Sequence, residues 1–257
     1  MRPPDPMLPP PLGAGAALFL DFDGCLVEIA DRPDAVQVDG ALLALLRTLI
    51  WRHDRAVAVI SGRPVQELLR YLPLPGLSVA GVHGAELQLP GDVRPQCLAE
   101  PLPAVCIQSL NKAVASLSGV MLEPKRYAVA LHYRNAPQHA DACRNLASKH
   151  ALEHGLDVLD GKAVVELRRP GLDKGRALSR LMQEPAFAGR LPVAVGDDRT
   201  DIDAFRAAQA LGGFGLGIGR CFGVADYRLD SPEQLHHWLS CAAPPLPADR
   251  TVPVLVA

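Results

Sequence analysis

Apolar residues fall along this chain in two rhythms. Short unbroken runs, Ala17 to Leu20, Ala56 to Ile60 and the PVAV before Gly196, offer no polar face. Such runs suit strands covered on both sides in a parallel sheet. Between them, Leu42, Leu45, Leu46, Leu49 and Ile50 recur at helical spacing. Pro64 is placed to open a second helix reaching Leu72. LSVAGVHGAEL reads as a third strand with a turn at His83-Gly84. The succession strand, helix, strand, helix, strand predicts an α/β fold built on a doubly wound parallel sheet.

From residue 104 to 168 the rhythm changes. A helix is expected from Ala104 to Leu117, strands near Val120–Glu123 and Tyr127–Arg134, a helix from Gln138 to His154, then two short strands ending at Arg168. The strands alternate, as in KAVVELR, which predicts an antiparallel sheet with one solvated face. This α+β stretch is therefore a module inserted into the first. The earlier pattern then resumes. GLDKGRALSRLMQE forms a helix with Asp173 as N-cap, PVAVGDD a fourth buried strand, FGLGI a fifth, and Asp230 to Leu239 a closing helix. The GLGIG run has no clear helix after it and reads as a strand end and turn, not a dinucleotide fingerprint. The expected organisation is a Pro-rich flexible tail (1–15), a core in two parts (16–103 and 169–241), the inserted module (104–168) and a C-terminal tail (242–257).

Composition narrows the classes. With 257 residues and 49% hydrophobic content, the chain can bury a substantial core. A net charge of −2 gives no basic face for nucleic acid. Six scattered cysteines without a CxxC pair suit small buried residues in a reducing compartment, so the cytoplasm is the expected location. No run reaches the length of a membrane span, and MRPPDPMLPPPLGAGA lacks the apolar core of a signal peptide.

The chemistry gathers where buried strands end. LFLDFDG stops on Asp21 and Asp23 before the Gly24 turn. Ligands of open α/β sheets bind outside the carboxyl ends of the strands. Two neighbouring carboxylates there are costly to ionise without a cation, which suggests a hard divalent metal; the plain alternative is that two Asp residues open a turn. Ser61 with Gly62-Arg63, Lys174, and Asp197-Asp198 with Asp201 fall at equivalent places. Together they suit Mg²⁺-assisted phosphoryl transfer, with Asp21 and Asp197 as side-chain ligands and Asp198 and Asp201 as acids beside them. One Asp carboxylate can attack phosphorus, and the other can protonate the leaving oxygen and then activate water. Ser61 serves equally well as a cap for the helix that Pro64 opens. Lys174 opposes the dipole of its own helix, so holding an anion explains it better. Thr200 and Asp203 fit a T-x-x-D capping pattern.

DFDG, SGR, DKG and GDDRTD, in that order, resemble the four motifs of the haloacid dehalogenase superfamily of phosphohydrolases. The resemblance covers the whole core. It implies Asp21 as nucleophile and Asp23 as general acid and base, with the Asp23 backbone carbonyl also binding Mg²⁺. It implies Ser61, Gly62 and Lys174 as phosphate contacts, and Asp197 as metal ligand. The inserted module is similar to the C2-type cap of these enzymes.

Within the module, Glu123 and Lys125 lie two apart, and Lys162 and Glu166 share one strand face opposite Ala163, Val165 and Leu167. Opposite charges on one face suit a sugar. From spacing alone, cross-strand salt bridging on a solvated face accounts for them better. The strings EPK, ALHYR, GKAVVEL, GDDRTD and GVHGAE resemble the trehalose-6-phosphate phosphatase family in particular. That resemblance implies sugar contacts from Glu123, Lys125, Lys162 and Glu166, with Arg134 and His83 near the site. It implies a sugar phosphate substrate, and it makes the enzyme that forms this substrate the candidate protein partner. Two positions depart from the family pattern. Cys25 stands where the family has Thr, removing a hydroxyl, and Ile202 stands where it has Glu, removing a contact to the metal surroundings or the helix. The alternatives are a phosphatase of another sugar phosphate (sucrose phosphate or mannosyl-3-phosphoglycerate), a phosphomutase, and a catalytically silent sugar-phosphate sensor.

Overall fold

The unbroken apolar runs become the central strands of an eight-stranded sheet in the computed structural model, which describes residues 8–29, 35–161, 163–219 and 223–241. The chain divides into two compact units, Met1–Gln96 with Asp173–Ala257, and Cys97–Leu172. In chain order the first unit begins with β1 (Ala16–Leu20), α1 (Gly40–Arg52), β2 (Val57–Ile60), α2 (Val65–Tyr71), β3 (Ser78–Gly81) and β4 (Glu86–Gln88), and the short β5 (Gln96–Cys97) spans the junction to the second. The second unit holds α3 (Ala104–Val114), β6 (Met121–Pro124), β7 (Ala128–His132), α4 (Ala140–His154), β8 (Asp157–Gly161) and β9 (Val164–Arg168). The chain returns through α5 (Lys174–Leu181), β10 (Leu191–Gly196), α6 (Ile202–Ala210), β11 (Phe214–Ile218), β12 (Tyr227–Leu229) and α7 (Pro232–Cys241).

The large sheet runs in the order β12-β11-β10-β1-β2-β3-β4-β5, parallel from β12 to β3 and antiparallel between β3 and β4. Alternation along β1 sends its side chains to two different layers. Leu18 and Leu20 join the cluster that includes Leu42, Leu46 and Leu49 of α1, Leu68 of α2, and Leu235 and Leu239 of α7. Ala17 and Phe19 join the opposite cluster, with Leu178 and Leu181 of α5 and Phe205 and Ala208 of α6. Every residue of β1 and β2 is buried, as a sheet covered on both faces requires. Among the described residues, no helix is long and apolar enough to cross a membrane.

Several local features differ from the expectation. The turn expected at His83-Gly84 is present, but it makes the third apolar run a hairpin of two strands: Val82, His83 and Gly84 take φ of 49°, 53° and 97°, turning the chain back from β3 into antiparallel β4. Val82 and His83 do not advertise a left-handed conformation in the sequence, whereas Gly84 is its usual occupant. The fourth helix starts at Ala140 after a 3₁₀ turn over Pro137–His139, and ends on Gly155 at φ 61°. Pro64 occupies the N-cap of α2, one place before the first helical position. Strand β12, three residues long, is too short to show a period.

In the second unit, α3 and α4 pack on one face of a four-stranded antiparallel sheet ordered β6-β7-β9-β8. Val129, Leu131, Val165 and Leu167 meet Cys106, Leu110, Cys143 and Ala147 in its core. Alternation therefore leaves His132 and Glu166 on the face away from these helices.

Residues 8–15 are tied to the first unit. Pro10 O accepts from Trp238 Nε1 at 3.0 Å, and Leu12 packs against the core. Residues 1–7 of the expected N-terminal tail, the expected C-terminal tail (242–257), Lys162 and Cys221 lie outside the described residues.

Candidate active site

The sheet changes direction of winding at β1. From there the chain goes to β2 and β3 on one side, and later to β10, β11 and β12 on the other. Such a switch point opens a crevice beyond the strand ends. Asp21 follows β1, Ser61 follows β2 and Asp197 follows β10, so three of the expected site residues come from adjacent strands. Asp21 N still donates to Val195 O at 3.0 Å, which fixes the backbone before the side chain turns into the crevice.

Lys174 meets Asp21 from the start of α5. Asp173 caps this helix, accepting from Arg176 N at 2.7 Å, as expected. Lys174 Nζ donates to Asp21 Oδ1 and to Asp201 Oδ1, each at 2.7 Å. All three residues are buried. The lysine that opposes its helix dipole thus holds two protein carboxylates, with a third ammonium proton left to donate.

Asp197 closes the group. Ligand atoms of Asp21, Cys25 and Asp197 all lie within 4.8 Å of one another. Gly24 makes this approach possible: its φ is 81°, and a Cβ there would overlap the Asp197 carboxylate. Asp201 Oδ2 accepts from the backbone N of both Asp197 and Asp198 at 3.1 Å, holding that turn in shape. Asp198 Oδ1 accepts from Thr200 N at 2.7 Å and from Thr200 Oγ1 at 2.6 Å. The capping pair is therefore Asp198 with Asp201, not Thr200 with Asp203. Asp198 has the extended backbone of a cap, whereas Thr200 already lies inside the 3₁₀ turn.

The electrostatics show what the group lacks. Burial, opposed by Lys174, pushes the Asp21 carboxyl up to about 7. Burial, with Asp201 and Asp198 beside it, raises Asp197 to about 6. Burial and the Asp21 charge raise Asp201 to about 7. Burial draws Lys174 down, but Asp21 and Asp201 outweigh it and hold the ammonium above its ordinary range. Asp198 moves the other way, because hydrogen bonds from Thr200 outweigh its burial. One ammonium faces three carboxylates, so the pocket is short of positive charge. A hard divalent cation fits this donor set through the oxygens of Asp21 and Asp197. The Cys25 thiol, pushed well up by burial and the surrounding carboxylates, stays protonated and is a poor ligand for such an ion.

In the loop after β2, Ser61 is buried and its Oγ accepts from Arg63 N at 3.2 Å. The His83 ring lies against Gly62, filling the space that a side chain would need there. Glu86 Oε2 accepts from Val65 N at 3.1 Å, satisfying a free donor at the start of α2. Arg63 Nε and Nη2 donate to Asp23 Oδ2 and Oδ1 at 2.7 and 2.8 Å.

In the second unit, Lys125 Nζ donates to Glu166 Oε2 at 2.8 Å, and His132 Nε2 lies 2.8 Å from Glu123 Oε2. Four polar groups thus share the sheet face away from the helices. Arg134 is exposed in the turn after β7. Sequence reasoning missed two partners, Arg63 for Asp23 and His132 for Glu123. Each pair is formed across strands or turns, and no spacing along the chain signals it.

The trehalose-phosphatase family profile matches residues 19–225. A trehalose-6-phosphate phosphatase of Escherichia coli is 38% identical over 232 residues, covering 90% of this chain and 87% of that protein. A probable trehalose-phosphate phosphatase of Sinorhizobium fredii is 38% identical over 206 residues, covering 79% and 77%. Among solved structures, an Aspergillus fumigatus trehalose-6-phosphate phosphatase superposes with a TM-score of 0.71 at 26% identity, covering 89% of this chain and 92% of that one. A haloacid dehalogenase-like hydrolase from Bacteroides thetaiotaomicron shares the fold, with a TM-score of 0.61 at 16% identity over 87% of this chain and 98% of that one. The chain belongs to the trehalose-phosphatase family, and it is a phosphoric monoester hydrolase.

Proposed function

We propose that this enzyme hydrolyses trehalose 6-phosphate to trehalose and phosphate through a phosphorylated Asp21, with Mg²⁺ as its cofactor, in the cytoplasm. The observation that carries the reading is the Asp21 carboxylate at the switch point, with Lys174 Nζ 2.7 Å from its Oδ1 and Asp197 beside it. Asp21 attacks phosphorus while Asp23 gives a proton to the departing sugar oxygen. Water then attacks the phospho-Asp21, Asp23 takes its proton, and phosphate leaves with Asp21 restored. Lys174 orients Asp21 and offers its remaining proton to a phosphate oxygen, joined by Ser61 and the Gly62 backbone. Asp21, Asp197 and the Asp23 carbonyl would hold Mg²⁺, with Asp198 and Asp201 shaping the turn. When bound, Mg²⁺ neutralises phosphate charge and orients the group for in-line displacement.

Sugar contacts are assigned to Glu123, Lys125, Lys162 and Glu166, with Arg134 and His83 as further substrate groups. The cross-strand pairing that spacing favoured is present as the Lys125–Glu166 ion pair; what supports the sugar reading is that these groups, with Glu123, offer both donors and acceptors on one sheet face, as sugar hydroxyls require.

The deciding experiment is phosphate release from trehalose 6-phosphate and a panel of other sugar phosphates, with Mg²⁺ and with chelator. Metal-dependent release confined to trehalose 6-phosphate is expected, with Asp21→Asn folded and inactive. Release from a different sugar phosphate alone would overturn the substrate, and normal turnover by Asp21→Asn would overturn the nucleophile. Binding of the substrate without release would point to a sensor.

A further inference from the structure

We propose that Arg63 is a positioning residue, which fixes the aim of the Asp23 carboxylate for both proton transfers. The inference rests on the reading of Asp23 as acid and base. One edge of the guanidinium, Nε with Nη2, takes both oxygens of Asp23 at 2.7 and 2.8 Å. Such a fork sets the plane of a carboxylate as well as its position. The Asp23 side chain is 36% exposed, so without the fork it is free to turn through its rotamers.

Arg63 is itself held on three sides. Its Nη1 donates to Glu67 Oε1, one turn further along the chain. Its guanidinium carbon lies 5.5 Å from the ring centroids of both Phe22 and Tyr71. Its backbone N donates to Ser61 Oγ at 3.2 Å. Phe22 is fully buried and sits in the chain between Asp21 and Asp23. The ring that backs Arg63 therefore belongs to the segment carrying both carboxylates, and this ties the orienting group to the pair it serves.

The proton balance assigns Arg63 no chemical step. As the P–O bond to the sugar breaks, its electron pair takes the proton leaving Asp23. Both oxygens of the resulting carboxylate remain on the Arg63 fork. When the oxygen of water bonds to phosphorus and the P–O bond to Asp21 breaks, that carboxylate takes the proton from water. Arg63 keeps all its protons throughout. Holding a reacting group in one geometry is where a positioning residue contributes. A lysine supplies charge at one point and cannot hold both oxygens.

The test compares Arg63→Lys and Arg63→Ala with wild type, using equilibrium melting as the check on folding. Turnover of trehalose 6-phosphate is expected to fall roughly 10- to 100-fold in both variants with KM within about twofold, a share of what positioned proton transfer contributes. The nitrophenol burst from p-nitrophenyl phosphate, whose leaving group needs no proton, should fall by less than about threefold. A crystal structure of Arg63→Lys should show the Asp23 carboxylate displaced from its wild-type position. Full turnover by Arg63→Lys, a rise in KM at unchanged kcat, or an unmoved Asp23 would each overturn the proposal. A wild-type enzyme that spares trehalose 6-phosphate overturns the substrate reading instead. Arg63 is then judged on the sugar phosphate that wild type does hydrolyse, and on the position of Asp23.

Discussion

Gly24 shows how closely the site depends on single atoms. Its positive φ lets the chain turn between Asp23 and Cys25, and its missing side chain leaves room for the Asp197 carboxylate. Gly24→Ala should lower kcat by at least about tenfold, since strain at positive φ costs roughly 1–3 kcal/mol and the methyl group displaces Asp197. Phosphate release by a variant shown to be folded measures this, and wild-type turnover would remove the steric argument. Asp21 and Asp197 were legible in the sequence because each ends a recognisable apolar run. Lys174 was legible because a cation in a first helical turn needs a reason. The fork between Arg63 and Asp23 was not, since the two are 40 residues apart and meet only once β1 and β2 lie side by side. Asp198 as the true cap was hidden for another reason: the string DDRTDID offers several overlapping cap patterns, and only the backbone angles choose among them.

Among elements, the join between α1 and β1 has a titratable part. His53 caps the end of α1, is buried, and its Nδ1 lies 3.0 Å from Ala16 O at the start of β1. A carbonyl only accepts, so the hydrogen sits on Nδ1 and Nε2 carries the lone pair. Burial holds His53 below its ordinary 6.5, with the cations Arg190 and Arg52 adding to the effect. The unfolded chain therefore binds this proton more readily than the folded one. The contribution of His53 is complete above about pH 6.5 and is lost as pH falls below it. Urea unfolding should show wild type losing more stability than His53→Gln between pH 7.5 and 5.5. An identical loss in the two proteins would assign that pH dependence to other groups. The central strands and most helices followed directly from apolar periodicity. The β3–β4 turn was legible at His83-Gly84, but the reversal into an antiparallel strand was not, because Val82 and His83 give no sign of the positive φ they adopt.

At the scale of the whole molecule, chemistry and recognition are assigned to different parts of the chain. Lys125→Ala or Glu166→Ala should raise KM for trehalose 6-phosphate roughly 10- to 100-fold, as expected for losing a charged hydrogen bond. Turnover of p-nitrophenyl phosphate, which carries no sugar, should change far less. Equal losses on both substrates would show that these residues support the fold rather than the sugar. The sequence marked the inserted module by its change of rhythm. It could not show that the charges of Lys125 and Glu166 pair with each other, or that Glu123 pairs with His132.

The second unit is one unbroken stretch, Cys97–Leu172, and Lys174 follows almost at once on the return. Asp21, Asp23, Ser61, Lys174 and Asp197 are all encoded outside it. On the assignment proposed above, recombination between two related genes at these two junctions would exchange most of the sugar-contacting residues and keep those assigned to the reaction. Substrate choice and reaction chemistry could then change by separate genetic events.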